Sequence, residues 1–432
     1  MHQKEGSVPV FASLSIRNFR YFFFGGFISN IGTWMARIGQ DWLVLNDLTN
    51  HSSLLLGLIT ALQFVPVLFL AGYAGTLADR FDKHKLLQIT QTCMMAMSLT
   101  LSLLVIFGVV QLWHVFAIAF VFGIITAFDN PARQAFAPEM VPVHLIPNAV
   151  GLNTTSFNAA RLIGPGVAGF MIAWWGVGPT LLVNAISFIA VIGSLAMQHT
   201  DELHAPKPVA REKGAIRAGI KYVANRPRIV LLMFTVFMLG TFGMNFQITN
   251  LLMATQVYGA GSEEFGMLGT IMAIGSLSAG LLAAKRTNPR LRLIMISMAG
   301  FGASMVVLTI SPNIYVYAIA LIPTGLTALT VMTAANSSVQ LTTEPEMRGR
   351  VMALYMAIFM GGTPIGSPLI GWIGQVVGAR ATLAVGAIAA FIAVAVVLIY
   401  VARSKDWDWP RHSKTKDPDF DYIGHGATSE LK

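Results

Sequence analysis

Gly75-Thr76-Leu77-Ala78-Asp79-Arg80-Phe81-Asp82-Lys83-His84-Lys85 is a short charged stretch between two long apolar runs, residues 54–77 and 86–110. Each run is long enough to cross a bilayer, since about 20 helical residues cover a hydrocarbon core about 30 Å thick. A carboxylate, Asp79, stands where the first run ends, and Arg80, Lys83 and Lys85 follow it. The stretch reads as a charged loop between two membrane crossings, with its bases on the side where it emerges.

Similar runs recur along the chain. Mean hydropathy is +0.64 and charged residues make up 11%, a balance that a soluble chain of this length does not carry. Backbone polar groups in hydrocarbon must be satisfied internally, by helices or by a closed barrel. The runs are too long and too evenly apolar for barrel strands of about 10 alternating residues. The fold class is therefore an all-α membrane protein. Spans are expected at residues 19–45, 54–77, 86–110, 114–136, 149–175, 179–197, 229–254, 265–284, 293–310, 314–340, 351–377 and 381–402.

The net charge of +9 is explained by where the bases lie, without nucleic acid as a partner. With the N-terminus in the cytoplasm, every Lys and Arg falls in or at the edge of a cytoplasmic segment except Arg37, Arg161 and Arg380. That is the positive-inside asymmetry, and it puts both termini in the cytoplasm. Cys93 is the only cysteine, so no disulfide framework or cysteine metal cluster is expected. Residues 1–18 are polar and the first apolar run is already of spanning length, so no cleavable signal is expected.

The longest interruption, residues 198–228, holds seven bases and ends in Ala215-Ile216-Arg217-Ala218-Gly219-Ile220-Lys221-Tyr222-Val223. Those residues are spaced as in a surface amphipathic helix. The interruption reads as a cytoplasmic linker between two pseudo-symmetric six-helix bundles, residues 19–197 and 229–402. Two internal matches support this division: residues 75–80 against Gly280-Leu281-Leu282-Ala283-Ala284-Lys285, and Pro138-Glu139-Met140 against Pro345-Glu346-Met347. Residues 403–432 form a polar tail with the composition of a disordered segment.

The stretch at Gly75 resembles the signature Gly-x-Leu-Ala-Asp-Arg-x-Gly-Arg-Lys of the major facilitator superfamily. Gly75, Leu77, Ala78, Asp79 and Arg80 match it, whereas Asp82, Lys83 and His84 depart from it. Pro131-Ala132-Arg133-Gln134-Ala135-Phe136-Ala137-Pro138-Glu139 resembles the branch with enterobactin exporters and macrolide efflux proteins. Asn158-Ala159-Ala160-Arg161-Leu162-Ile163-Gly164-Pro165-Gly166-Val167-Ala168-Gly169 and Arg348-Gly349-Arg350-Val351 resemble it too. The resemblance implies twelve helices working by alternating access. It also implies that Asp79 docks on a helix N-terminus near Arg350 and Val351, latching the cytoplasmic side. Gly75, Arg80 and Lys83 belong to that latch, and Asp129 and Arg133, an i,i+4 pair at the inner end of the fourth span, give it structural support. Arg161, Gly164, Pro165 and Gly169 match the antiporter element of drug-exporting members, which implies close packing against the second half. A plain kink at Gly164-Pro165 is the alternative.

The first span carries a polar stripe, Asn30, Trp34, Arg37 and Asp41, at steps of four, three and four, hence on one helix face. Such a stripe faces a bundle interior or a water-filled cavity, because charges are costly against lipid. Asp41 is the candidate proton carrier with Arg37 beside it; an ion pair between the two is the alternative. Asn30 and Trp34 are candidate cavity residues. Arg161 requires a partner: Asp41, Asp129 or an anionic substrate. In the second half, Phe242, Asn245, Phe246 and Thr249 are candidates for contact with a large amphiphile.

The expected function is secondary active export of an amphiphilic small molecule, a drug, macrolide or siderophore, in exchange for protons across a bacterial inner membrane. The expected form is a functional monomer in the lipid bilayer, with no cofactor, no metal and no enzymatic activity. A facilitator or importer on the same scaffold, and a receptor or scaffold acting through the tail, are the alternatives.

Overall fold

The computed structural model describes residues 9, 11–203, 215–284 and 290–403. The helices are α1 (Arg17–Trp42), α2 (Ser53–Arg80), α3 (Lys83–Ile106), α4 (Leu112–Phe136), α5 (Ile146–Trp175) and α6 (Val177–Ala196). After them come α7 (Ala215–Ala224), α8 (Pro227–Met238), α9 (Phe246–Leu252), α10 (Ser262–Ala284), α11 (Leu291–Ile310), α12 (Ile314–Thr342), α13 (Pro345–Val376) and α14 (Ala379–Arg403). Among the described residues, ten helical stretches are long and apolar enough to cross a membrane. Two more long helices, α1 and α5, are of spanning length but carry Asn30, Arg37 and Asp41, and Asn153, Thr154, Thr155 and Arg161.

Packing in the second half repeats that in the first. α2 lies on α4 as α10 lies on α12, and α3 lies on α6 as α11 lies on α14. Two seams join the halves, α2 against α13 and α5 against α10. They are equivalent under exchange of the halves, as an internal repeat requires.

Three local expectations are corrected. The charged loop at Gly75 shrinks to Phe81 and Asp82, because α2 runs to Arg80 and α3 begins at Lys83. Asp82, the departure from the signature glycine, is the N-cap of α3: its carboxylate accepts from the backbone N–H of His84 (2.9 Å) and Lys85 (3.3 Å). That satisfies donors which a helix start otherwise leaves free.

The seventh expected span is not one regular helix. It widens into a π segment over Leu239–Gly243, breaks at Met244 and Asn245, and resumes as α9. The eleventh begins at Pro345, six residues before the expected start, because a proline suits the first helical turn. Pro345-Glu346-Met347 therefore opens α13, whereas Pro138-Glu139-Met140 lies in a 3-10 turn after α4.

Arg380, one of the three exceptions to the charge asymmetry, donates to the carbonyls of Thr309 (2.6 Å) and Ser311 (2.9 Å) at the end of α11. A helix C-terminus attracts a cation. The amphipathic helix is α7, and it packs on α13: Gly219 lies against Arg350 and Leu354. Arg226 stacks on Tyr222 and donates to Glu344 (2.5 Å). Residues 204–214, within the expected linker, and residues 404–432 of the expected tail lie outside the described residues.

Candidate functional site

The α1 stripe comes together around Trp34. The guanidinium of Arg37 lies 5.0 Å from the Trp34 ring centroid, and that of Arg161, from α5, lies 5.4 Å from it. The edge of Phe157 meets the same ring at 5.9 Å. Trp34, Arg37 and Arg161 are half-buried, as is Asn30, while Asp41 is 7% exposed. The helices approach this closely because Gly164 has no side chain: a Cβ there would overlap the Cβ of Trp34. Arg37 and Asp41 form no ion pair, and Oδ2 of Asp41 has no hydrogen-bond partner among the described residues. Arg161 pairs with neither Asp41 nor Asp129; Trp34 takes that place.

Asp129 is the hub of a second cluster. Its carboxylate accepts from Thr90 (2.7 Å), Gln91 (2.7 Å) and Arg133 Nε (3.2 Å), tying α3 to α4. The Arg133 guanidinium also lies over the ring of Phe22 on α1. Nearby, Lys83 Nζ is 2.7 Å from Glu139 Oε1, an ion contact without the alignment of a hydrogen bond. Thr90, Gln91 and Glu139 were not singled out from the sequence. Glu139 was legible as part of the branch motif, while Thr90 and Gln91 were a polar pair on an otherwise apolar run. The side chains of Gly75, Asp79 and Arg80 lie outside the description, so the Asp79 latch is not seen. Arg350 and Val351, its expected dock, sit inside α13 rather than at its first turn.

The second-half candidates are mostly interior. Asn245, Phe246 and Thr249 are buried and Phe242 is half-buried. Asn245 Nδ2 donates to the Thr241 carbonyl (2.7 Å), and Ser367 donates to Asn245 Oδ1 (3.1 Å). These bonds satisfy backbone at a broken helix, which buried positions in a membrane protein require. Gly362 and Gly366 on α13 make room, since a Cβ at either would overlap Thr241.

Among the described residues, hydrogen bonds cross both seams. Ser53 donates from N to Gln375 Oε1 (3.0 Å) and from Oγ to the Gly371 carbonyl (2.8 Å), and Gln256 Nε2 donates to the His51 carbonyl (3.3 Å). On the other seam Ser262 donates to the Gly169 carbonyl (3.1 Å) and Thr270 to that of Leu162 (2.9 Å). Backbones touch at Gly57, Gly169, Gly266 and Gly371, where a Cβ would overlap a carbonyl across the seam. Gly169 thus packs against the second half, as does the Pro165 carbonyl against Gly266. All these contacts lie toward the face that carries His51.

Toward the face that carries Lys83, α5 is exposed at Val150, Gly151, Thr154, Thr155 and Phe157. Further along, Ile163, Val167, Phe170 and Trp174 form a second exposed set, with Ala173 and Trp175 also bare at the helix end. At 3.6 residues per turn these two sets lie on roughly opposite sides of the helix. The second set is wholly apolar, as a lipid-facing surface is, whereas the first carries two threonines and faces away from it.

Comparison with known proteins gives one consistent family. A family model described as transmembrane secretion effector matches residues 8–421. The staphyloferrin A transporter of Staphylococcus aureus is 27% identical, with 89% of this chain and 96% of that protein covered. Macrolide efflux protein A of Streptococcus pyogenes is 21% identical, with 73% and 79% covered. A bacterial homologue of the human lysosomal transporter Spinster, crystallised in an inward-facing and occupied conformation, shares the fold. Its TM-score is 0.69 at 14% identity, with 94% of this chain and 100% of that one covered. The protein is thus a multi-pass integral membrane transporter of small molecules and not an enzyme, and it belongs to the transmembrane secretion effector family of the major facilitator superfamily.

Proposed function

We propose that the protein is a secondary active exporter of amphiphilic small molecules in a bacterial inner membrane, working as a monomer by alternating access. α1 and α5 complete twelve crossings in two six-helix halves, and both termini lie in the cytoplasm. The bases of the Lys83 face, including Lys83, Lys85, Arg290, Arg292, Arg348 and Arg350, support a cytoplasmic assignment for that face. The observation that supports the reading is that, among the described residues, glycine contacts and hydrogen bonds cross the seams toward the His51 face, while α5 bares two threonines toward the Lys83 face. A molecule entering from the cytoplasm meets Thr154 and Thr155 and then the Trp34 cluster. The names of the relatives, a siderophore transporter and a macrolide efflux protein, agree with an outward direction.

Coupling to protons is assigned to Asp41, a buried carboxylate inside a span with an unpartnered oxygen. Asp79, with Arg80 and Lys83, forms the cytoplasmic latch, and Asp129 and Arg133 brace it. The test is an accumulation screen in a strain lacking its own pumps, with and without a protonophore. The expected result is lower accumulation of some amphiphiles, reversed by the protonophore and by Asp41→Asn. Higher accumulation on expression, indicating import, is the result that overturns the reading.

A further inference from the structure

Among the described residues, Arg37, Asp41 and Arg161 are charges inside the spans that form no ion pair, and the two arginines outnumber the carboxylate. An arginine keeps its charge at any physiological pH, and a charge at membrane depth is costly unless paired or wet. By contrast, Asp129 pairs with Arg133, Lys83 with Glu139, and Arg380 lies on the carbonyls of Thr309 and Ser311. Arg37 and Arg161 form no ion pair among the described residues, and both lie against one indole ring. Both are half-buried, hence within reach of a ligand, and beside them the exposed ring of Phe157 meets Trp34 edge-on.

We propose that this site binds the anionic group of the cargo, and that the exported class is an amphiphilic carboxylate with a flat apolar body. The inference rests on the exporter reading above and names its substrate class. A guanidinium recognises a carboxylate through two parallel N–H donors, and an aromatic shelf holds a flat apolar body at a small entropic cost. Two guanidinium groups against one carboxylate, Asp41, leave the site cationic. It therefore repels a cationic amphiphile. Asp41 bears the same charge as the proposed cargo, but the two guanidinium groups outnumber it. An inside-negative potential then drives the anion outward.

The test uses the full chain in sealed vesicles and three probes with one apolar body and different head groups: 1-pyrenebutyrate, 1-pyrenebutanol and 1-pyrenebutylammonium. Each charged probe is measured under the potential that favours its movement, against vesicles without protein. The carboxylate is expected to move at least tenfold faster than the other two. Arg37→Gln with Arg161→Gln should remove that advantage, bringing carboxylate flux down to that of the alcohol measured in the same variant. If the glutamine pair fails to fold, Arg37→Lys with Arg161→Lys keeps both charges but loses the paired donors, and should lower the carboxylate preference without reversing it. Alcohol or ammonium flux equal to that of the carboxylate overturns the anion assignment and leaves the exporter reading standing. Carboxylate binding that quenches Trp34 and needs both arginines, without flux, supports the site and overturns export. Neither binding nor flux of the carboxylate overturns the site.

Discussion

The hydroxyl of Ser53, at the start of α2, donates to the Gly371 carbonyl on α13 at 2.8 Å, and the Ser53 carbonyl fills the space a Cβ on Gly371 would need. On the face that carries His51, α2 and α13 therefore meet backbone against backbone. Gly371→Val should force this seam apart. Overpacking of this kind costs ~1–3 kcal/mol, comparable with the few kcal/mol that separate two conformers. Spin labels at Asn50 and Val377 should report a longer distance in the variant. An unchanged distance would contradict the role given to the seam.

Asp129 holds Thr90, Gln91 and Arg133 at once. Asp129→Leu leaves three polar side chains without their acceptor, at ~1–3 kcal/mol for each that stays buried and unpaired. Thermal unfolding in detergent should fall by several degrees. Asp129→Asn keeps acceptors for Thr90 and Gln91 and should fall less. Equal losses for the two would show that the bonds to Thr90 and Gln91 contribute nothing.

Asp82 caps α3 where related signatures carry glycine. Asp82→Ala should cost ~1 kcal/mol, whereas Asp82→Gly, which restores the signature residue, should cost only a few tenths. Chemical denaturation of the two variants side by side checks the order. If alanine is tolerated better than glycine, the cap is not what Asp82 provides.

These residues also mark how far the sequence was legible. Runs of apolar residues and the distribution of bases pointed to an all-helical membrane chain, and the spacing around Lys221 to α7, because periodicity and charge act locally. The cap at Asp82 was hidden by a match to a pattern in which glycine was expected. The interruption after Met238 was hidden because Leu239, Phe242 and Met244 are as apolar as a regular span. Contacts between distant segments, such as Trp34 with Arg161 or Ser53 with Gly371, leave no periodic trace in either segment. The Gly164-Pro165 element announced close packing but not its partners, which are Trp34 on one side of α5 and α10 on the other.

Asn245 closes the break between α8 and α9 by donating to the Thr241 carbonyl at 2.7 Å. Asn245→Leu removes that donor and the acceptor used by Ser367. Amide exchange over residues 239–250 should then accelerate by one to two orders of magnitude, as about 1–3 kcal/mol of local stability is lost. Unchanged exchange would mean that the contact with Gly362 and Gly366 alone holds the break.

The asymmetry of the two faces is tested most directly by cysteine accessibility. With Cys93 replaced by serine, Thr154→Cys should react with a membrane-impermeant maleimide applied from the Lys83 side and be protected from the opposite side. Adding Gly371→Val to the same chain should reverse that preference. Labelling of Thr154→Cys from the His51 side alone, or from neither side, would contradict a cavity open to the cytoplasm.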